Sequence, residues 1–135
     1  MIEAHVFSYG QRHLYADEWE QWLRLRHQVY IEEKRWHEPN ADGRETDQFD
    51  NDAATYILGL LDGRVVTSAR LIPCNRPTLV SDVFPHFCER AGVPDRPDWI
   101  EWTRTLTVPE LRSGGRQSIL TQLCAAVMEY CLQEE

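Results

Sequence analysis

The segment "DGRETDQFDND", residues 42–52, has the densest set of side chains that could do chemistry, with five carboxylates in eleven positions. Such a segment can hold a metal ion, bind a cation, pair with arginines or simply face solvent. A calcium loop that begins at Glu38 needs a bidentate glutamate at its twelfth position, where Phe49 stands. Calcium is therefore disfavoured, and Phe49 is predicted to anchor the segment to the core.

Two arginines fall at positions whose pattern predicts burial. Arg26 lies on the apolar stripe of a predicted helix, and Arg70 shares a predicted strand face with Val66 and Ile72. An unpaired charge in such a place is costly, so each arginine is expected to meet a carboxylate. The further charges available for this pairing are Glu45, Asp47, Asp50, Glu101 and Arg104.

These charges allow two interpretations. They can form an ion-pair network that pins the acidic segment onto the helix and sheet, or they can line a cleft in which carboxylates attract a cation and arginines hold a carboxylate. Tyr30 and Trp36 offer aromatic faces that suit a cation, although ordinary core packing would explain them as well.

Several other chemistries have no support in the sequence. The five histidines and four cysteines show no zinc-ligand spacing, and there is neither a G-x-S-x-G elbow nor a phosphate-binding P-loop. We predict no metal site, and we predict that the cysteines are reduced thiols in or near the core. The turn "RSGGRQ", residues 112–117, precedes a helix and could either bind a phosphate group or merely cap that helix.

The elements that must position these residues can be predicted from their patterns. "HVFSY" predicts a first strand, Asp17 the N-cap of a helix over "EWEQWLRLRHQVYIEEK", and Asp62-Gly63 a type I′ hairpin between two strands. "VFPHFCERAG" is a short helical or looped excursion, and "WIEWTRTLTV" a strand whose strict alternation would put Glu101 and Arg104 on opposite faces. The last helix has an apolar stripe that consists of Ile119, Leu120, Leu123, Cys124, Val127, Met128, Cys131 and Leu132.

This order predicts an α/β (α+β) fold, with a mostly antiparallel sheet flanked by helices, and residues 1–135 forming one domain. The net charge of −8 disfavours a wide nucleic-acid surface. No apolar run reaches the roughly 20 residues that span a bilayer, and the N-terminus lacks the zones of a signal peptide. We therefore expect a cytoplasmic protein without membrane insertion.

Five stretches together resemble the acyl-homoserine-lactone synthases, the autoinducer synthases of bacterial quorum sensing: "LRHQVYIEEKRW", "GRETDQFDND", "SARLIP", "LVSDVFP" and "IEWTRTLTVP". The resemblance implies a fold similar to that of the Gcn5-type N-acyltransferases. It also implies a reaction, in which the amine of S-adenosylmethionine attacks an acyl thioester and the methionyl carboxylate then displaces methylthioadenosine to close a lactone. No tightly bound cofactor is implied.

The resemblance also implies roles for individual residues. The catalytic residues would be Glu101, as general base, with Arg104 and Arg70. The S-adenosylmethionine-binding residues would be Arg26, Tyr30, Trp36, Glu45, Asp47 and Asp50. The acyl- and pantetheine-binding residues would be Phe84, Trp102, Thr103, Arg112, Gly114, Gly115 and Arg116.

Three points stay open at this stage. The acyl donor is acyl-CoA or acyl carrier protein, and the sequence looks most like members that use acyl-CoA. The alternatives to a lactone synthase are an N-acyltransferase that acylates another amine and a non-catalytic protein that binds acyl carriers. Family members continue past the last helix with further strands, so we expect a chain truncated at its C-terminus that lacks those strands.

Overall fold

A four-stranded antiparallel sheet in the order β1-β2-β3-β4 organises the computed structural model, which describes residues 1–113 and 118–134. The strands are β1 (Glu3–Ser8), β2 (Thr55–Leu61), β3 (Arg64–Pro73) and β4 (Ile100–Thr107). The α-helices are α1 (Ala16–Arg26), α2 (Leu79–Asp82) and α3 (Ile119–Gln133). Short 3₁₀ turns cover Tyr9–Tyr15, Pro85–Cys88 and Pro109–Leu111, and π-helical turns cover His27–Glu33.

The hairpin between β2 and β3 forms as predicted. Asp62 and Gly63 both have positive φ angles, 48° and 77°, which is what a type I′ turn requires of its two central residues. The turn sets the pairing of the two strands, and it places Arg70 directly opposite Tyr56.

The two faces of the sheet carry separate cores. Helix α1 and the turns after it cover one face, where Trp22 and Val29 belong to the same buried cluster as Tyr56 and Ile72. Helix α3 covers the other face with a smaller core, which Leu123 and Val127 form with Ile57, Ala69 and Leu71. The four cysteines are free and half-buried. Among the described residues, no helix has the length and apolar composition needed to cross a bilayer.

The first helix differs from the prediction at both ends. It begins at Ala16, so Asp17 lies in its first turn instead of capping it, where a carboxylate still interacts favourably with the helix dipole. Beyond Arg26 the chain widens into π-helical turns, in which the Lys34 N–H donates to the carbonyl of Val29 at 3.0 Å. The predicted single helix is thus an α-helix followed by π-helical turns.

Only part of the predicted apolar stripe of α3 is buried. Ile119, Leu123 and Val127 pack inwards. Leu120, Met128 and Leu132 are 48%, 64% and 65% exposed, because the described sheet covers a narrower strip of the helix than the stripe occupies.

The prediction of strict alternation along β4 is wrong, because the strand contains a β-bulge. Thr103 pairs with Arg70 and Leu106 with Ser68, so one extra residue of β4 is accommodated between these pairs. Arg104 lies in this interval and has a φ of 53°, in the left-handed region. The bulge brings the side chain of Arg104 to the face that already carries Glu101 and Thr103, instead of the opposite face.

Candidate active site

Six charged side chains form a buried ion cluster beneath the acidic segment. The cluster consists of Arg26, Arg70, Arg104, Glu45, Asp47 and Asp50. Arg26 and Arg70 are 0% exposed and Glu45 is 3% exposed. Three guanidinium groups face three carboxylates, so the formal charges cancel within the cluster, as burial of so many charges requires.

Each of the two fully buried arginines has the carboxylate partners that the sequence predicts. Arg26 donates through Nε to Glu45 and through Nη1 to Asp50 at 3.0 Å. Arg70 grips Asp47 with both terminal nitrogens, at 2.6 and 3.1 Å, and also reaches Asp50 at 3.2 Å. The bidentate geometry is the strong, orienting form of an arginine–carboxylate pair.

The β4 bulge places the third arginine, Arg104, in the ion cluster. Arg104 Nη2 donates to Glu45 at 2.9 Å and to Asp47 at 2.7 Å. The backbone carbonyls at the bulge are satisfied by side chains, because Ser68 Oγ donates to Arg104 O at 2.8 Å and Tyr30 Oη to Thr105 O at 3.1 Å. The left-handed conformation is therefore held in place by polar contacts from two neighbouring elements.

The acidic segment folds around its own carboxylates. Asp47 accepts a hydrogen bond from the Phe49 N–H, and Asp50 accepts one from the Asp47 N–H, each at 2.9 Å. The ring of Phe49 is buried in the core, which confirms its predicted anchoring role. Asp42 and Asp52 are exposed, so only part of the segment belongs to the cluster.

For two members of the cluster, Asp47 and Arg26, the effect of pairing on the pKa outweighs that of burial. Burial alone would raise the pKa of Asp47, but the hydrogen bonds and charge of Arg70, together with the charges of Arg104 and Arg26, hold that pKa below its ordinary value. For Arg26, burial is offset by Asp50 and Glu45, and the net effect raises the pKa of the guanidinium. Asp47 is the most exposed of the three carboxylates, so it is the acidic group of the cluster that is most accessible from solvent.

Tyr30 and Trp36 form a stack beside the cluster. Their rings lie 5.2 Å apart and 14° from parallel, and the Arg104 guanidinium carbon lies 5.1 Å from the centre of the Tyr30 ring. Arg35 has a φ of 55° and ends the π-helical turns, after which the Trp36 N–H donates back to Tyr30 O at 2.9 Å. Tyr30 is buried while Trp36 is 60% exposed, so Trp36 is the ring with surface available to a ligand.

A cavity of about 600 Å³, here called the aromatic cavity, lies directly on this side of the cluster. Its walls include Trp36, Asp47, Phe49, Leu79, Phe84 and Arg104. It is mainly apolar, and its polar lining consists of one exposed edge of the ion cluster together with His37 and Gln48, which is the composition of a small-molecule site with few orienting polar groups.

Four further residues that line the aromatic cavity were missed by the sequence analysis. They are His37, Gln48, Leu79 and Val83. Leu79 in the short helix α2, and Val83 and Phe84 directly after it, have the i, i+4, i+5 spacing of an apolar helix face, and this pattern could have indicated an apolar wall. His37 and Gln48 have no such signal, since each lies in irregular structure.

Glu101 is held in an unexpected way. Its two carboxylate oxygens accept hydrogen bonds from the backbone N–H groups of Leu79, at 3.1 Å, and Val80, at 2.8 Å. Glu101 is not among the residues that line the aromatic cavity, although it is on the same face of β4 as Thr103. Its role as a general base therefore stays a prediction.

A second cavity, here called the edge cavity, lies along the outer side of β4 and measures about 330 Å³. Its walls include Val29, Lys34, Thr105, Thr107, Arg112 and Leu120. Arg112 is engaged by both carboxylate oxygens of Glu33, at 2.6 and 3.0 Å, and also donates to Thr107 O. Neighbouring residues of the bulge thus face different cavities, Arg104 the aromatic cavity and Thr105 the edge cavity.

The remaining predicted acyl-site residues are not all brought together. Thr103 is at the cluster, where its hydroxyl accepts a hydrogen bond from Arg70 Nε at 3.2 Å. Trp102 pairs with Leu71, whose side chain packs on the α3 face, so it lies across the sheet from Phe84. Phe84 and Trp102 therefore do not form one wall, because β4 separates them. Gly114, Gly115 and Arg116 lie outside the described residues.

The structure gives no indication of a metal centre in the part of the chain that it describes. Within residues 1–113 and 118–134, no group of three or more His, Cys, Asp or Glu side chains is arranged to hold a metal ion. Each carboxylate of the ion cluster is instead bonded to at least one arginine.

Comparison with known proteins identifies the fold. The chain is similar to the coenzyme-A-dependent acyl-homoserine lactone synthase BjaI, solved with SAM and isopentyl-CoA, with a TM-score of 0.86 and 40% identity over 98% of this chain and 62% of that one. It is also similar to the coenzyme-A-dependent synthase MesI, with a TM-score of 0.82 and 30% identity over 97% of this chain and 65% of that one. The fold is therefore that of the acyl-homoserine-lactone synthases, as predicted.

Comparison of sequences agrees with the fold. The chain is 41% identical over 131 residues to the isovaleryl-homoserine lactone synthase of Bradyrhizobium diazoefficiens. The aligned region covers 96% of this chain and 58% of that protein. The chain thus spans less than two thirds of the relative's length. The family model described as autoinducer synthase matches residues 10–135. Because this model matches nearly the whole chain, the chain belongs to the autoinducer synthase family.

Proposed function

We propose that this chain forms the substrate-binding core of an acyl-homoserine-lactone synthase that makes a quorum-sensing signal from S-adenosylmethionine and an acyl thioester. The observation that carries the proposal is the β4 bulge, where Arg104 lines the aromatic cavity and the next residue, Thr105, lines the edge cavity. An acyl transfer needs two substrates to meet at one point, and two cavities that share one strand provide that arrangement.

S-adenosylmethionine is assigned to the aromatic cavity. Its adenine ring suits the exposed face of Trp36, and its sulfonium and ammonium groups suit Asp47, the carboxylate at the open side of the cluster. Arg104 is the arginine of the cluster that reaches this cavity and can attract the methionyl carboxylate. Arg26 and Arg70 are fully buried, so we assign them to holding Glu45, Asp47 and Asp50 in place.

The acyl thioester is assigned to the edge cavity. The outer edge of β4 can offer backbone N–H and C=O groups to the amides of a pantetheine arm, as an unpaired strand edge does for an extended ligand. Lys34 and Arg112 place positive charge beside the cavity, which suits a phosphorylated donor. Because BjaI and MesI are described as coenzyme-A-dependent, we propose acyl-CoA as the donor, with acyl carrier protein as the alternative.

The proposed reaction has two bond exchanges. The amine nitrogen of S-adenosylmethionine bonds to the thioester carbonyl carbon, the carbon–sulfur bond breaks, and the thiol leaves with a proton. The methionyl carboxylate oxygen then bonds to the methionyl carbon next to the sulfonium, and methylthioadenosine leaves with the electrons of that carbon–sulfur bond.

Both substrates are products of cytoplasmic metabolism, and we propose that the enzyme acts there. The common sheet with a core on each face supports a single domain over residues 1–135.

Product measurement tests the proposed reaction. The natural full-length protein, incubated with S-adenosylmethionine and short branched or linear acyl-CoA thioesters, should release free thiol and methylthioadenosine in equal amounts. Thiol without methylthioadenosine would overturn the lactone synthase and favour an N-acyltransferase. Release of neither product, from acyl-CoA or acyl carrier protein, would overturn the enzymatic function.

Binding measurement tests the assignment of the aromatic cavity on the 135-residue chain itself. Trp36→Ala should weaken methylthioadenosine binding by about tenfold or more in calorimetry, because stacking of a base on an aromatic ring contributes about 1–3 kcal/mol. Trp99→Ala is the matched control, since Trp99 is also an exposed tryptophan but does not line the aromatic cavity. Equal effects of the two substitutions would contradict the assignment.

A further inference from the structure

We propose that Glu101 is a positioning residue, which holds helix α2 in place as a wall of the aromatic cavity and so shapes the S-adenosylmethionine site. This inference deepens the proposed function and rests on it for the identity of the ligand. It gives Glu101 a role that differs from proton abstraction, and the two roles predict different results.

The backbone N–H groups at the N-terminus of α2 donate to side chains outside the helix. The first backbone N–H groups of any helix lack partners within the helix. In α2 the N-cap residue Thr78 satisfies the Ser81 N–H, at 3.1 Å. Its side chain serves no other N–H group of this helix, and the N–H groups of Leu79 and Val80 both bind Glu101 instead. Glu101 therefore completes the cap of a helix that lies 22 residues before it in the chain.

Apart from the partly buried side chain of Leu79, which packs against the main core, α2 has few other attachments. It is one helical turn of four residues, and isolated helices of this length are not stable. None of its four residues is buried, although the N-cap Thr78 before it is. A carboxylate on β4 that accepts two hydrogen bonds from the backbone of α2 is thus a main link between α2 and the sheet.

Helix α2 and the two residues that follow it form one wall of the aromatic cavity. Leu79, Val83 and Phe84 all line the aromatic cavity. Leu79 supplies both the N–H group that binds Glu101 and an apolar side chain in the cavity wall. A shift of α2 away from β4 therefore moves the wall that faces Trp36 and Asp47, and the site loses its shape.

The Glu101 side chain itself is directed to the backbone of α2, and Glu101 does not line either of the two cavities described above. Asp47 is the acidic residue of the aromatic cavity, and it is bound by two arginines. The geometry thus separates the residue that shapes the cavity, Glu101, from the carboxylate that faces it, Asp47.

Hydrogen exchange tests the anchoring directly on the 135-residue chain. Glu101→Gln removes the charge and one of the two acceptor oxygens, so the Leu79 and Val80 amides should exchange about tenfold faster, while the amides of β2 and β3 are unchanged. Unchanged exchange at Leu79 and Val80 would overturn the proposal, whether or not the chain binds a nucleoside. Thr78→Val removes the other part of the cap and should speed exchange at Ser81.

Binding of methylthioadenosine distinguishes positioning from proton abstraction, because this molecule lacks the methionyl amine that a general base would deprotonate. If Glu101 positions the wall, Glu101→Gln and Thr78→Val should both weaken methylthioadenosine binding by about fivefold or more. Glu89→Gln is the matched control, since Glu89 is an exposed glutamate in the loop after α2, and it should bind like the wild type. If Glu101→Gln binds methylthioadenosine as tightly as the wild type does, the positioning role is overturned. If the wild-type chain itself binds no methylthioadenosine, the proposed function is contradicted, and the hydrogen-exchange result alone decides whether Glu101 anchors α2.

Discussion

Two arginine–carboxylate assemblies lie on opposite sides of the β4 bulge, and they differ in burial more than in bonding. The ion cluster holds Arg70 and Asp47 in a bidentate pair, and the pair of Arg112 with Glu33 is bidentate as well. Arg70 is fully buried, whereas the side chains of Arg112 and Glu33 are 39% and 37% exposed. The same arginine–carboxylate contact is therefore a structural requirement where it is buried and an exchangeable contact where it is exposed.

The largest effect is expected from breaking the buried pair. Arg70→Met removes the bidentate partner of Asp47 and one of the two arginines that bind Asp50, so the free energy of unfolding should fall by about 3–5 kcal/mol, as measured by urea unfolding. Arg96→Met is the matched control, because it breaks a bidentate pair with Asp98 at the surface and should leave the free energy of unfolding nearly unchanged. Equal losses of the free energy of unfolding in the two variants would show that burial does not determine how much an arginine–carboxylate pair contributes to stability.

The second effect concerns pH. Because the pKa of Asp47 is lower in the folded chain than in the unfolded one, its contribution to stability is complete above the unfolded value of about 4 and disappears as the pH falls through the lower folded value. The free energy of unfolding should therefore decrease below about pH 4. Asp47→Asn should be less stable at neutral pH and should show a shallower decrease in acid, and parallel curves for the two proteins would contradict this explanation.

A smaller effect is expected where the two sides meet. Tyr30→Phe removes the hydrogen bond to Thr105 O at the bulge but keeps the aromatic stack on Trp36, so it should cost about 1 kcal/mol in urea unfolding. Tyr15→Phe is a suitable control, since Tyr15 packs on Phe7 by its ring and lies away from β4. A loss as large as that of Arg70→Met would mean that the hydroxyl, and not the cluster, holds the bulge.

The smallest effect on stability is expected at the exposed pair. Glu33→Gln should leave unfolding almost unchanged, because an exposed ion pair is screened by water and salt. It should also free Arg112 for an anionic ligand, so coenzyme A should bind the 135-residue chain a fewfold more tightly in calorimetry at low salt. Weaker binding of coenzyme A in this variant would show that Glu33 holds Arg112 in its binding position instead of competing with the ligand.

The pairing of the buried arginines could be predicted from sequence because it follows from the free-energy cost of burying an unpaired charge. A guanidinium on an apolar stripe must meet a carboxylate, and Arg26 and Arg70 do so in the segment where the carboxylates are concentrated. The type I′ turn at Asp62-Gly63 was predictable for a similar reason, since few residue pairs accept its backbone angles.

The features that escaped prediction depend on contacts between distant parts of the chain. The bulge follows from how β4 fits β3, and Arg104 has no local signal for a positive φ. The strict alternation that the sequence suggested was wrong for this reason, and with it the placement of Glu101 and Arg104 on opposite faces. The contact of Glu101 with α2 likewise joins residues more than 20 positions apart, which no periodic pattern encodes.

The ion cluster has a consequence for the order in which the molecule folds. Its bonds join residues separated by 19 to 59 positions, from the end of α1 to the bulge of β4. Charged groups lose their water only when all partners are present, so we infer that the cluster closes after the hairpin and the helices have assembled. Interactions that form after the folding transition state slow unfolding without speeding folding. We therefore expect the cluster to slow unfolding more than it speeds folding, and so to prolong the lifetime of the folded chain.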